Sequence, residues 1–185
     1  MVDYEKQPCG NDLEFSDELI ANMSLVLIEH ASDDFWKILK YGSRDALSNP
    51  SYTITLEDKY NMVKQYNYDS ENKELTRIKR LKFNQDIQNY AHSEIRIFDG
   101  VWNIPSQNNY SIGIGFEVIG HNEIIILDNG KSTINMLRHE IYKIFNGARV
   151  GKNISRFTNI GTRGSIVPFN DNFQGYQFTM LGISG

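Results

Sequence analysis

Four histidines are the first candidates for chemistry: His30, His92, His121 and His139. None stands four residues from another. His139-Glu140 is not followed by a second histidine three residues on, so the helical zinc-protease pattern, two imidazoles on one face with a glutamate base, is not met. His30 with Asp33 and Asp34 is the densest group of potential metal ligands. A capped helix boundary accounts for the same residues. Cys9 is the single cysteine, so one chain can close no disulfide and build no thiolate cluster. It lies in a polar stretch with no histidine nearby in sequence, which reads as an incidental thiol. Gly42-Ser43-Arg44 and Gly164-Ser165-Ile166 lack the second glycine of a nucleophile elbow. Gly113-Ile114-Gly115 opens like a dinucleotide fingerprint, but it sits inside a strand pattern and no glycine opens a following helix. Gly147-Ala148-Arg149-Val150-Gly151-Lys152-Asn153 is one residue short of a phosphate loop, and Asn153 stands where a hydroxyl would hold magnesium. The sequence therefore points to no catalytic residues, no metal ligands and no cofactor.

One basic stretch remains. Residues 147–165 hold Gly147, Gly151, Gly161 and Gly164 together with Arg149, Lys152, Arg156 and Arg163, and Phe157 lies among the cations. Three readings fit: a solvated loop after a helix, a loop that orders against a neighbouring subunit, or a loop that takes single-stranded nucleic acid. An enzyme site assembled from separated carboxylates such as Asp33, Asp34, Glu94 and Glu117 is a further reading, but no spacing singles those residues out.

The elements that would position these groups can be read from periodicity. Residues 1–15 form an arm with turn residues around Gln7-Pro8-Cys9-Gly10 and no periodicity. A helix is expected from Ser16, with Asp17 and Glu18 in its first turn and Leu19, Ile20, Met23 and Leu27 on one stripe. Ser32-Asp33-Asp34 reads as a second cap, and Gly42 as the stop after Tyr41. A short helix is expected near 56–66, completing a helical part over about 16–66. From Leu75 the period becomes two, which would place Leu81 and Phe83 on one strand face. Glu94 to Phe98 is a short strand. Ser111 to Ile119 is the clearest strand, with Ile112, Ile114, Phe116 and Val118 on one face and Gly113 and Gly115 on the other. Two glycines on one face imply that something packs close against it. Glu123 to Leu127 is expected to return as the hairpin partner of that strand. Ser132 caps an amphipathic helix over about 132–146, with Leu137, Ile141 and Ile144 inward and Asn146-Gly147 as its stop. Ile166–Phe169 and Tyr176–Ile183 read as two closing strands. The fold class expected is α+β: an N-terminal helical part, then a mostly antiparallel sheet over about 75–185 with one long helix packed on it. Residues 16–185 form one domain.

Composition bounds the function. The chain has 185 residues, 40% hydrophobic and 12% aromatic, enough for a packed core. Net charge is −4, which argues against a duplex nucleic-acid footprint. No apolar run approaches the length that spans a bilayer, and the polar, acidic stretch from Met1 to Asn11 does not read as a signal peptide. The charge is uneven. Residues 1–100 carry 18 acidic and 12 basic side chains, and residues 101–185 carry 5 and 7. An acidic half and a mildly basic half suit head-to-tail contact between copies.

The order of segments from Glu94 to Ser184 resembles the tail-completion and tail-terminator proteins in the necks of tailed bacteriophages. The resemblance is carried by Arg96-Ile97-Phe98, the irregular Asn103-Ile104-Pro105-Ser106, and the strand Ser111–Val118 followed by His121-Asn122. It continues through Leu137–Gly147, with its helix ending in Phe145-Asn146-Gly147, and through the closing stretch Phe169–Tyr176. Ala46-Leu47-Ser48-Asn49-Pro50 has the look of an arm start in related neck proteins. Two departures stand out: Phe145 replaces the usual aliphatic residue, and the N-terminal half is longer than in compact members. The resemblance implies a non-enzymatic virion protein, made in the host cytoplasm and forming a ring, commonly of six copies. That ring would cap the tail tube, meet neighbouring neck, tube or sheath proteins, and leave a channel for DNA, with no membrane involved. It implies no catalytic residue. Arg149, Lys152, Arg156 and Arg163, with Trp102 and Tyr110 as aromatic anchors, are the expected subunit contacts. The alternative is a nucleic-acid-binding accessory protein using residues 147–165.

Overall fold

The computed structural model describes residues 12–63, 76–80, 90–99, 103–106, 109–150, 154–159 and 164–184. Helix α1 spans Asp12–His30, so it begins four residues ahead of the expected Ser16. Its Leu19, Ile20, Met23 and Leu27 are buried. Helix α2, Asp33–Tyr41, starts where the Ser32 side chain accepts the Phe35 N–H. It ends at Gly42 in the left-handed region, φ +52°. That turn admits no side chain, because a Cβ at Gly42 would stand 2.4 Å from the Ala91 carbonyl oxygen. Helix α3, Leu56–Val63, opens on Thr55, whose hydroxyl accepts the Asp58 N–H while the Asp58 carboxylate accepts the Thr55 N–H. The two residues close a reciprocal capping box.

The strands are β1 (Ile78–Lys79), β2 (Ser93–Asp99), β3 (Asn103–Ser106), β4 (Asn109–His121), β5 (Ile154–Asn159), β6 (Ser165–Pro168) and β7 (Phe173–Ser184), and helix α4 spans Thr133–Phe145. They form one seven-stranded sheet in the order β1-β2-β4-β7-β5, with β3 on β4 and β6 on β7. All pairings are antiparallel except β1 with β2. The class is therefore α+β with a mixed sheet. The long strands β4 and β7 form its spine, paired from Ser111–Ile183 to His121–Phe173.

One face of the sheet meets the helices. Ile95, Ile97, Ile112, Ile114, Phe116, Val118, Phe178 and Met180 share a single core with Trp36, Leu39, Leu137, Ile141 and Phe145. Phe116 lies 5.2 Å from Phe178 and 5.9 Å from Phe145, ring to ring. Each such ring buries more apolar surface than an aliphatic neighbour, and ring-to-ring contact adds to that burial. Helix α4 is capped by the Ser132 hydroxyl, which accepts the Asn135 N–H. It is tied to α2 where the Ser32 N–H donates to Glu140 Oε1 at 3.0 Å.

On the other face, the close packing expected at the strand glycines is present at Gly115. A Cβ there would stand 2.2 Å from the ring of Phe98, its cross-strand partner in β2. The aromatic ring covers the gap that glycine leaves in the strand.

The expected hairpin between residues 111–119 and 123–127 does not form. Both edges of β4 are already taken, by β2 and β7, over residues 114–120. Asn122–Ile124 is instead a 3-10 turn. The chain then bends into the start of α4, where the Thr133 hydroxyl donates to the Ile124 carbonyl at 2.6 Å and the Leu127 N–H to the Lys131 carbonyl at 2.9 Å. Only Ile126 keeps a bridge, to Ser132. The run Ile124-Ile125-Ile126-Leu127 has no alternation, so it buries Ile124 and Leu127 from a turn rather than from a strand. Leu81 and Phe83, expected on one strand face, lie outside the described residues, as do residues 1–11 of the expected arm.

Candidate functional site

Alternation in β2 sends Ile95 and Ile97 to the helices and Glu94, Arg96 and Phe98 to the opposite face. Arg96 is register partner to Glu117 of β4, so three charged side chains meet on the face away from the core. They are not solvated: Glu94 is 1%, Arg96 2% and Glu117 4% exposed. The Glu94 carboxylate organises the group. One oxygen accepts from Arg96 through Nε and Nη2, both at 2.7 Å. The other accepts from Lys79 Nζ at 2.6 Å and faces His92 Nε2 at 3.7 Å. Arg96 Nη1 also faces Glu117 Oε2 at 3.6 Å, and its guanidinium lies 5.3 Å from the ring centre of Phe169.

The electrostatics follow from that geometry. Burial alone would raise the Glu94 pKa, since it penalises the charged form. The His92 contact and the charges of Lys79 and Arg96 outweigh it, and the pKa falls from 4.5 to about 2. His92 Nδ1 is 2.8 Å from the Tyr90 carbonyl. An imidazole placed between a carbonyl and a carboxylate has an acceptor on each side. His92 and His121 flank the ring of Phe173 at 4.9 and 4.8 Å, and His121 Nδ1 accepts the Glu123 N–H. Arg77 donates to the Leu39 carbonyl and to the Tyr90 hydroxyl, both at 3.0 Å.

This arrangement is poor catalytic material. A general acid or base needs a pKa near the working pH and a place beside it for substrate. Glu94 is held far below that range and is surrounded by its own partners. Of the four carboxylates weighed as an enzyme site, Glu94 and Glu117 stand together only through Arg96. Asp33 pairs with Lys59 at 3.2 Å in the helical layer, and Asp34 starts the same helix α2. The sheet separates the two pairs. Glu94, Glu117 and His92 stand among the candidates of the sequence, but nothing there joins them, and it gives Arg96 and Lys79 no place in a site. The available signal was the alternation Glu94-x-Arg96 within one strand, opposite charges on a face that would otherwise read as solvated.

The expected contact residues are distributed as follows. Arg149 is exposed just beyond α4. Arg156 lies in β5 opposite Ile183, and Tyr110 lies in β4, the side chains of both being outside the described residues. Lys152, Arg163 and Trp102 are outside them entirely. The stretch 147–165 is not one loop: residues 154–159 are strand β5. The buried Phe157 accounts for this. Its N–H donates to the Ala148 carbonyl and its carbonyl accepts the Gly147 N–H, at 2.9 and 2.7 Å. Phe157 sits opposite Gly182 of β7 and turns its own N–H and C=O to the segment after α4, which satisfies both. With its ring buried, it is a core residue and not an aromatic among cations.

A second feature lies at the sheet's other edge. A groove of about 270 Å³ runs between the first turns of α4 and strands β6 and β7, lined by Ile125, Ile134, Arg138, Ile166 and Tyr176 among others. Arg138 stacks on Tyr176, its guanidinium 4.1 Å from the ring centre. Ile166 is 73% exposed. Among the described residues no group of three or more metal-ligating side chains converges, and no helix is long and apolar enough to cross a membrane.

The protein is thus a mixed sheet backed by one helical layer, with ion pairs buried on its other face and an apolar groove at one edge. The family model YomW matches residues 32–181, and the chain belongs to the YomW family. That family is a phage-derived, SPbeta-prophage-type protein family, consistent with a bacteriophage origin. No match is found among curated proteins.

Proposed function

We propose that this protein is a non-enzymatic structural component of a phage virion. It forms a ring in the neck, six copies by family resemblance, that completes or caps the tail tube and joins it to the head. The observation that carries this reading is the order of elements from β2 through β4, the His121-Asn122 turn, α4 and β7. It resembles the order in tail-completion and tail-terminator proteins, and the chain belongs to a phage-derived family. Two features support it. The charges buried on the sheet are spent on internal ion pairs, which stiffens a scaffold. The acidic first half and mildly basic second half favour contact between copies. The partners of this reading are the chain itself and adjoining neck, tube or sheath proteins, with DNA passing through the channel. Its contact residues are Arg149, Lys152, Arg156, Arg163, Trp102 and Tyr110. Placement of β5 within the sheet weakens the nucleic-acid alternative, which depended on 147–165 acting as one flexible basic loop.

Purified particles of a phage encoding this chain, examined by mass spectrometry and electron microscopy, test the reading. The expected result is a fixed copy number per particle with density at the neck. Absence of the chain from tailed, infectious particles refutes it.

A further inference from the structure

Two exposed surfaces of this fold are complementary and lie at opposite ends of the sheet. The first is the groove described above. Its apolar lining is Ile125, Ile134, Ile166 and Tyr176, and its charged side chain is Arg138. Among the described residues Arg138 has no carboxylate partner; its guanidinium is held over two tyrosine rings, Tyr176 and Tyr142. Among the described residues strand β6, which borders the groove, pairs only with β7.

The second surface is the outward side of α3. Leu56 is 62% exposed and Tyr60 43%, and Glu57 beside them is exposed. Positions 56, 57 and 60 share one helix face by the spacing of an α-helix. The neighbouring charges are already used: Asp58 pairs with Lys40 at 2.8 Å and Lys59 with Asp33. Glu57 has no such partner among the described residues. The face therefore offers two large apolar side chains and one uncommitted anion. The groove offers an apolar trough and one uncommitted cation.

Their positions decide what can occupy what. Helix α3 packs on α1, α2 and β1, and β1 is the first strand of the sheet. Strand β6 stands beyond β7 at the other end. The α3 face of a chain cannot fold into its own groove without crossing the whole sheet. A second copy can supply it. We infer that the α3 face of one copy, Leu56, Glu57 and Tyr60, docks into the α4–β6 groove of the next, with Glu57 meeting Arg138. Two different patches in contact make a heterologous, head-to-tail interface, which repeats from copy to copy and closes into a ring where the rotation permits. This surface deepens the ring reading above and gives it a specific contact.

Sedimentation velocity of the full chain across a concentration series tests it. The expected result is reversible, concentration-dependent association. Arg138→Glu and Glu57→Arg should each weaken it about tenfold or more, because each sets like charges together in the contact. The two substitutions combined in one chain should restore it. Both substitutions lie at exposed or half-exposed positions, and far-UV circular dichroism checks that the variants stay folded. A wild-type chain that remains monomeric at its highest soluble concentration overturns the interface, as does association that neither single substitution weakens or that the charge swap fails to restore. Presence of the chain in particles together with a monomeric wild type would overturn this surface and leave the virion role standing. Association through these residues with no chain in particles would do the reverse.

Discussion

Replacing Glu94 by glutamine keeps the shape of the side chain and removes the one charge that Lys79, Arg96 and His92 surround. The carboxyl titrates near 2 in the fold against an ordinary 4.5. At about 1.4 kcal/mol per pH unit, that difference corresponds to about 3 kcal/mol of stability at neutral pH. The sign follows from the direction. A depressed folded-state pKa gives stability that is fully present above the unfolded value of 4.5 and is lost as pH falls toward about 2. The amide forfeits that stability at every pH and leaves buried cations short of a counter-charge, so a loss of about 3–5 kcal/mol is expected at pH 7. Urea unfolding at several pH values, followed by circular dichroism, reads the effect. Other carboxylates also titrate in acid, so the useful quantity is the difference between wild type and Glu94→Gln. It should be largest near neutrality and shrink steadily as the pH drops from about 5 toward 2, since protonation turns the wild type into a near equivalent of the variant. A difference that stays constant over that range would refute the reasoning. It would mean that the glutamine is harmful for its hydrogen bonding and not for its missing charge.

Three further outcomes follow from packing. Gly115→Ala should cost about 1–3 kcal/mol because its methyl meets the Phe98 ring, and Phe98→Leu in the same chain should recover part of the loss in a double-mutant cycle by urea unfolding. Gly42→Ala combines a left-handed backbone with a clash on the Ala91 carbonyl. It should therefore cost more than Gly130→Ala, where φ is also positive but nothing lies within 4 Å, and thermal unfolding of the pair should rank them so. Glu140→Ala removes the acceptor of the Ser32 N–H between α2 and α4. A loss of about 1–2 kcal/mol is expected, and faster amide exchange at the start of α2 should accompany it.

Local signals in the sequence were strong where a single residue decides a boundary. Ser32, Gly42 and Ser132 mark helix ends because each satisfies or releases backbone groups within a few residues of itself. The alternation of β4 and the meaning of its glycines were legible for the same reason: the pleat fixes which side chains share a face. Pairing was not legible. The β4–β7 ladder joins residues more than 50 apart, and Phe157 enters the sheet through β7, whose Gly182 is its partner. A glycine-rich, basic composition hides such a strand, since its backbone bonds come from elsewhere in the chain. The ion network was half legible. Glu94, Arg96 and Glu117 alternate as a polar outer face should, and their burial depends on side chains such as Phe169 that pack over that face from a distant turn.

That burial bears on how the molecule meets partners. A sheet with helices on one side ordinarily turns its other side to water or to a neighbour. Here the second side holds its own charges: Glu94, Arg96 and Glu117 are almost fully buried, the Phe169 ring lies over Arg96, and the Phe98 ring covers Gly115. Binding a partner across that face would require breaking charge-assisted contacts of 2.6–2.7 Å, a cost that few interfaces recover. Among the described residues, exposed apolar side chains stand at both ends of the sheet. At one end β1 has two residues, too short to template another strand, and α3 stands over it with Leu56 and Tyr60 outward. At the other, among the described residues, β6 pairs only with β7, beside Ile166 and Arg138. The two ends differ in shape and in charge, so copies would join end to end in one direction and not face to face about a two-fold axis. A symmetric dimer in solution, insensitive to changes at Glu57 and Arg138, would contradict that polarity.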